Sequence, residues 1–184
     1  LFEPGSTLKP FTVAAGLATR RFRVRSEVDT HPGLLRVGRY TVRDHRDYGV
    51  LDMAQVLKKS SNVGATRIAL AIPRAAHWKV LDGVGFGQAP GTAFPGESRG
   101  VLTDFTRWGE IHRATLSYGY GLSVSTLQLA RAYGVLAADG VLRPASLVRR
   151  DAAPEGEQVL PAGVAVQVRR MLEAVDRPVT RLLR

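Results

Sequence analysis

Cysteine is absent from the 184 residues. That excludes disulfides, thiolate zinc sites and a cysteine nucleophile, and it leaves the redox compartment open. Long hydrophobic runs are absent as well. No stretch of about 18 apolar residues occurs, so no segment of this chain is long enough to span a bilayer. Nor is there a charged start followed by an apolar core, the pattern of a secretory signal peptide. The chain opens on Leu1 rather than methionine and reads as a piece of something longer, with any anchor or export signal expected upstream. Lysine is scarce, limited to Lys9, Lys58, Lys59 and Lys79. Positive charge is still in excess, at +10 with a pI of 10.8, and is carried mostly by scattered arginines. There is no basic helix, no RNP-like aromatic pattern and no Cys/His finger. This argues against specific nucleic-acid binding and leaves nonspecific attraction to anionic surfaces.

What is present is the composition of an ordinary globular domain, 45% hydrophobic and 23% charged, in a chain long enough to enclose a real core. Apolar spacing predicts helices over 7–19, 51–60, 63–72, 73–85, 125–140 and 161–176. Short strands are expected in 34–44 around Gly38, a loop over 86–100, and an extended segment over 141–150. Helices dominate, the strands are too irregularly spaced for βαβ units, and no linker divides the chain.

The first chemically suggestive stretch is "EPGSTLKPFT", residues 3–12. Pro10 has no N–H for the Ser6 carbonyl, so Ser6 belongs at the very start of a helix. Ser6 and Lys9 are three apart and share a face. Gly5 permits a sharp entry, and the helix N-terminus favours negative charge building on an oxygen. These are the needs of an activated serine. Lysine serves as its base only when neutral, which near pH 7 asks for a drop of about 3 units from its reference of about 10.4. Taken alone, the pair reads first as a helix cap beside a solvated cation. "LKKSSNVG" then places Ser60 and Asn62 at a break between two helical stretches. There a hydroxyl can pass a proton and an amide can hold a carbonyl, although such residues are also ordinary caps.

Four stretches together carry a resemblance: "FEPGSTLKPFTVAAGL", "LKKSSNVG", "GFGQAPGTAFPGE" and "LSYGYGLSVSTLQLARAYGVLAADG". In that order they resemble the transpeptidase domain of class B penicillin-binding proteins, of the cell-division type. The combination of Ser-x-x-Lys with Ser-x-Asn is a known signature of that superfamily. The resemblance implies a helix-rich α+β fold, an antiparallel sheet flanked by helices and incomplete here. It makes residues 1–184 one partial domain, family-like to about residue 175, with a divergent tail over 176–184.

The resemblance also implies roles. Ser6 matches the nucleophile that attacks a D-Ala-D-Ala peptide bond, Lys9 the base, Ser60 the proton relay and Asn62 the substrate-orienting amide. Tyr118 and Tyr120 match aromatic residues lining the cleft, with core packing an equal alternative for both. The partners implied are peptidoglycan stem peptides, β-lactams and other division proteins, without metal or cofactor. The location implied is the periplasmic side of the cytoplasmic membrane. The family's third motif, Lys-Thr-Gly or Lys-Ser-Gly, has no match at any of the four lysines. The expectation is therefore weak activity of this chain alone, or a catalytically inactive fragment with an interaction role.

Other motifs carry less. "GESRG" (96–100) formally matches a nucleophile elbow around Ser98, with Asp104 and His112 following. It lacks the strand before and the helix after that an elbow requires. "GVGFG" (83–87) does not complete a dinucleotide fingerprint, and His31, His45, His77 and His112 lack metal-ligand spacing.

Overall fold

The computed structural model describes residues 1–149, 151–152 and 154–175. A 3-10 turn, Gly5–Leu8, runs straight into α1 (Lys9–Ala18). Every residue of α1 from Lys9 to Leu17 is buried, which makes it the central helix, walled by others on all sides. Those walls are α2 (Met53–Lys59), α3 (Asn62–Ala71), α4 (Arg74–Gly83) and α7 (Ala162–Ala174). Two more helices complete the set, α5 (Glu110–Leu116) against α3 and α6 (Thr126–Ala137) against α7. The main core gathers Leu8, Phe11, Ile68, Leu81, Phe86 and Leu136, all with no exposed surface. The edge-to-face contacts of Phe11 with Phe86 and Tyr133, at 5.6 and 5.4 Å, fix the first turn of α1.

The strands are short. β1 (Glu27–Asp29) pairs antiparallel with β4 (Val50–Asp52), and buried Val28 lies opposite buried Leu51. β2 (Leu34–Val37) and β3 (Tyr40–Arg43) form a hairpin about Gly38, as the sequence suggests. Val37 and Val42 of this hairpin, with Val63 and Ala114, make a second small core against which Tyr118 packs. β5 (Val141–Leu142) pairs with β6 (Glu157–Gln158). Among the described residues these are three separate ladders rather than one sheet, with isolated bridges outside them at Phe2–Val124 and Val101–Ser123.

Several expected boundaries move for identifiable reasons. Leu51 belongs to β4, not to the helix expected from residue 51. The helix starts at Met53 because Asp52 and Gln55 form a reciprocal cap, with Gln55 N–H donating to Asp52 at 2.8 Å and Asp52 N–H to Gln55 at 3.0 Å. α6 starts as expected after Ser125, whose hydroxyl accepts from Gln128 N–H, but it ends at Ala137 rather than 140. Of the extended segment expected over 141–150, only Val141–Leu142 pairs. Residue 150 and the tail over 176–184 lie outside the described residues. α5 was not expected, since seven residues of mixed polarity carry too little periodicity to announce a helix. Among the described residues no helix is long and apolar enough to cross a membrane.

Candidate active site

The turn before α1 does what its sequence demands. Gly5 takes φ +57°, and the Lys9 N–H closes on the Ser6 carbonyl. The missing Pro10 N–H falls at the second helical position, where it costs nothing. Ser6 is thereby exposed at the helix entrance while Lys9, one turn on, is 1% exposed. The Lys9 amine lies 2.9 Å from Ser6 Oγ, 2.8 Å from Ser60 Oγ and 2.6 Å from the Ser60 carbonyl oxygen. Two hydroxyls from opposite ends of the motif set therefore converge on one buried nitrogen.

Ser60 reaches that nitrogen through an unusual backbone. It follows α2 with φ +53° and ψ +41°, a left-handed conformation that serine pays for in steric strain of about 1–2 kcal/mol. The turn aims both its carbonyl and its hydroxyl at Lys9. A glycine would adopt the turn more easily but would bring no hydroxyl. Such strain, stabilised by surrounding structure, is a mark of functional positions.

The stabilising structure is Asp44, just past β3, which sequence reasoning missed. Its carboxylate accepts from Ser61 Oγ at 2.5 Å, Asn62 N–H at 2.5 Å and Val63 N–H at 3.0 Å. Ser61 Oγ in turn accepts the Gly64 N–H at 2.8 Å. Asp44 thus satisfies the orphan donors at the start of α3 from a distant strand and holds the Ser60–Asn62 corner in place. Its only sequence signal is an acid at the end of a predicted strand. Asn62 itself opens α3, with its amide donating to the Arg43 carbonyl at 3.1 Å. Among the described residues no hydrogen bond joins Asn62 to Ser6 or to the Ser60 hydroxyl.

The tyrosine turn closes the other side. Gly5 N–H donates to the Gly119 carbonyl at 3.0 Å, and Gly121 N–H donates to Glu3 at 2.8 Å. Gly119 has φ +91°, and a Cβ there would collide with the Gly5 carbonyl, so only glycine lets the two backbones meet. The turn is therefore seated on the residue before Ser6. Tyr118 is half-buried in the second core, and burial raises its hydroxyl pKa, with Tyr120 adding to the shift. Tyr120 is 49% exposed, its ring centroid 5.8 Å from that of Tyr118. Of the pair, Tyr118 packs against the second core and Tyr120 is exposed.

The family model described as the penicillin binding protein transpeptidase domain matches residues 1–181. The chain belongs to that family. It is 38% identical over 175 residues to the probable peptidoglycan D,D-transpeptidase PenA of Neisseria flavescens, covering 95% of this chain and 43% of that protein. It is 39% identical over 178 residues to the peptidoglycan D,D-transpeptidase FtsI of Escherichia coli K12, covering 97% of this chain and 30% of that protein. Among solved structures, the transpeptidase domain of Burkholderia pseudomallei penicillin-binding protein 3 superposes with a TM-score of 0.91 at 42% identity. That match covers 97% of this chain and 54% of the other. The helix-rich α+β penicillin-binding fold expected from the sequence is therefore the fold observed, and the chain spans under half the length of these curated relatives.

The competing serine motif does not assemble. Ser98 sits exposed on a loop, its Oγ accepting only the nearby Gly100 N–H at 3.3 Å. Asp104 is occupied with Thr106, and His112 stacks on Trp108 at 5.8 Å. Among the described residues no hydrogen bond links either to Ser98.

Proposed function

We propose that this chain carries the nucleophile, base and relay of a penicillin-binding peptidoglycan D,D-transpeptidase, with Ser6 as the acylated residue. The observation that supports it most is the convergence of Ser6 Oγ and Ser60 Oγ on the buried Lys9 amine. This reading requires Lys9 to react as the neutral amine. The Ser60 carbonyl only accepts, so in that form it takes one N–H of Lys9. The second N–H faces the Ser60 hydroxyl, and the lone pair faces Ser6. Ser6 Oγ attacks the carbonyl of a terminal D-Ala-D-Ala bond while its proton passes to Lys9. Lys9, now holding three protons, hands one to Ser60, which protonates the departing D-Ala amine. The amine of a second stem peptide then attacks the acyl-Ser6 ester, forming the crosslink and returning the proton to Ser6. β-Lactams enter the same path and stop at the acyl-serine.

The tyrosine turn and Asn62 flank the path, with Tyr120 offering an exposed ring and Asn62 an amide. In the whole protein the reaction belongs to cell division, on the periplasmic face of the cytoplasmic membrane, with an anchor and division partners outside this chain. The Ser6 N–H, at a helix start, is one donor to the developing oxyanion. In the family the second donor comes from the strand that carries Lys-Thr-Gly, a motif without a match in these residues, and losing one such donor slows acylation by about 10²–10³. That same observation supports a second reading, an inactive fragment that retains only an interaction role.

Prolonged incubation with a fluorescent penicillin, followed by peptide mapping, separates the two. The expected adduct lies on the peptide bearing Ser6, disappears in Ser6→Ala, forms about 10²–10⁴ more slowly in Lys9→Met, and is unchanged in Ser98→Ala. An adduct on another side chain, or none, overturns the acylation reading.

A further inference from the structure

A second polar cluster lies behind the candidate site, and the mechanism does not use it. Thr12, Thr66 and Ser117 have no exposed surface, and His77 has 1%. They come from α1, α3, the end of α5 and α4 respectively. Ser117 follows the last residue of α5, so its carbonyl is one of the acceptors that a helix C-terminus leaves without a partner. Thr12 Oγ1 donates to that carbonyl at 2.9 Å. A hydroxyl has a single proton, so the contact of Thr12 Oγ1 with His77 Nε2, at 3.2 Å, has the ring nitrogen as donor. The neutral Nε2–H tautomer of His77 therefore fixes which way the Thr12 hydroxyl points. The Ser117 side chain is held as well, donating to the Ala114 carbonyl at 2.6 Å and lying 3.3 Å from Thr66 Oγ1.

The position of this cluster gives it a consequence. Thr12 is one turn past Lys9 on the same helix, and Ser117 immediately precedes Tyr118. The carbonyl that accepts from Gly5 belongs to Gly119, two residues further on. We propose that Thr12 is a positioning residue: its hydroxyl, oriented by His77, holds the Ser117 carbonyl and so keeps the Tyr118–Gly119–Tyr120 turn seated on the backbone that leads into Ser6. A buried polar network of this kind specifies one arrangement, because every alternative leaves a carbonyl or an N–H without a partner in a dry interior. An apolar contact between the same helices would allow the turn to slide.

The kinetic part of this proposal rests on Ser6 being the nucleophile, but its structural part does not. Amide hydrogen exchange of the 184-residue chain, read by NMR in Thr12→Val, tests the structural part directly. The Gly5 amide is expected to exchange about tenfold faster relative to interior amides of α3, such as that of Ile68. Thr12→Ser restores the wild-type ratio because it keeps the hydroxyl. His77→Leu, which removes only the orienting donor, gives a smaller rise in the same ratio and serves if Thr12→Val does not fold. An unchanged Gly5 ratio in both variants, or a rise matched by every interior amide, overturns the proposal. Acylation by a fluorescent penicillin adds the second arm: where wild type is labelled, Thr12→Val lowers the rate of acylation more than the affinity of the initial complex. Absence of labelling in wild type with the exchange result intact would count against the reading of Ser6 and leave the role of Thr12 standing.

Discussion

Two serines in this chain sit in stretches that match a nucleophile motif, and the structure treats them oppositely. Ser6 stands at a helix entrance tied down from four directions: Tyr133 Oη donates to the Thr7 carbonyl at 2.9 Å, Gly119 accepts from Gly5, Val124 pairs with Phe2, and Lys9 lies beneath the serine hydroxyl. Ser98 lies on a Gly- and Pro-rich loop whose contacts are mostly with itself, such as Glu97 accepting from the Gly91 and Thr92 N–H groups. The difference is not in the serine. A motif gains chemical company when a second element reaches it, and Ser60 meets Lys9 across 51 residues of chain. The loop around Ser98 is reached by Gln128 of α6, which donates to the Gln88 and Arg99 carbonyls, and among the described residues no side chain hydrogen-bonds the Ser98 hydroxyl.

The largest effect that would sharpen this contrast is the acid sensitivity of a buried histidine in the walls of the Ser6 region. Burial, with Arg113 adding to it, lowers the pKa of His77 to about 3, against 6.5 for the exposed ring. The unfolded chain therefore binds a proton that the folded chain refuses. His77 destabilises the fold progressively as pH falls from 6.5 toward 3, by roughly 5 kcal/mol in all, and is neutral in effect above 6.5. Urea unfolding across that window is expected to show the decline, and His77→Leu to flatten it. An equally steep decline in the variant would assign the sensitivity to other groups.

A smaller effect tests the seam between the tyrosine turn and the backbone leading into Ser6. Gly119→Ala combines a left-handed backbone with a collision against Gly5 and is expected to cost about 3 kcal/mol. Gly5→Ala, where a Cβ meets nothing within 4 Å, should cost about 1 kcal/mol from backbone strain alone. Thermal melts of the two variants measure the gap, and equal losses would mean the seam yields easily. Smaller still is Asp44→Asn, whose carbonyl oxygen can keep the Asn62 and Val63 N–H groups but which loses the acceptor for the Ser61 hydroxyl and the negative charge. The expected loss is about 1–2 kcal/mol of stability, with slower acylation at Ser6 because the Ser60 corner loosens. Unchanged acylation in Asp44→Asn would place Asp44 in folding alone.

Much of this was legible in the residues. Pro10 forced Ser6 to the helix start, the three-residue spacing put Lys9 within reach, and Ser125 and Pro161 marked helix beginnings that the structure keeps. These are local facts, set by backbone donors and periodicity within one turn or two. Asp44 was not legible, because its partners are 17 to 19 residues away and nothing in the stretch around it indicates a cap for a distant helix. Thr12 and His77 were equally silent, being 65 residues apart and each unremarked on its own helix. α5 was missed because its seven residues are helical mainly through packing against α3 and the hairpin.

The sequence by itself carried the family resemblance, in four stretches taken together, and determined much of the helical content and the one-turn spacing of Ser6 and Lys9, since the last two follow from short-range periodicity. The tertiary structure alone decided that the Lys9 amine is buried, that Ser60 turns left-handed to meet it, and that a glycine of the tyrosine turn presses on the backbone before Ser6. Burial and long-range hydrogen bonds depend on which distant groups arrive at the same place, and no local pattern encodes that meeting.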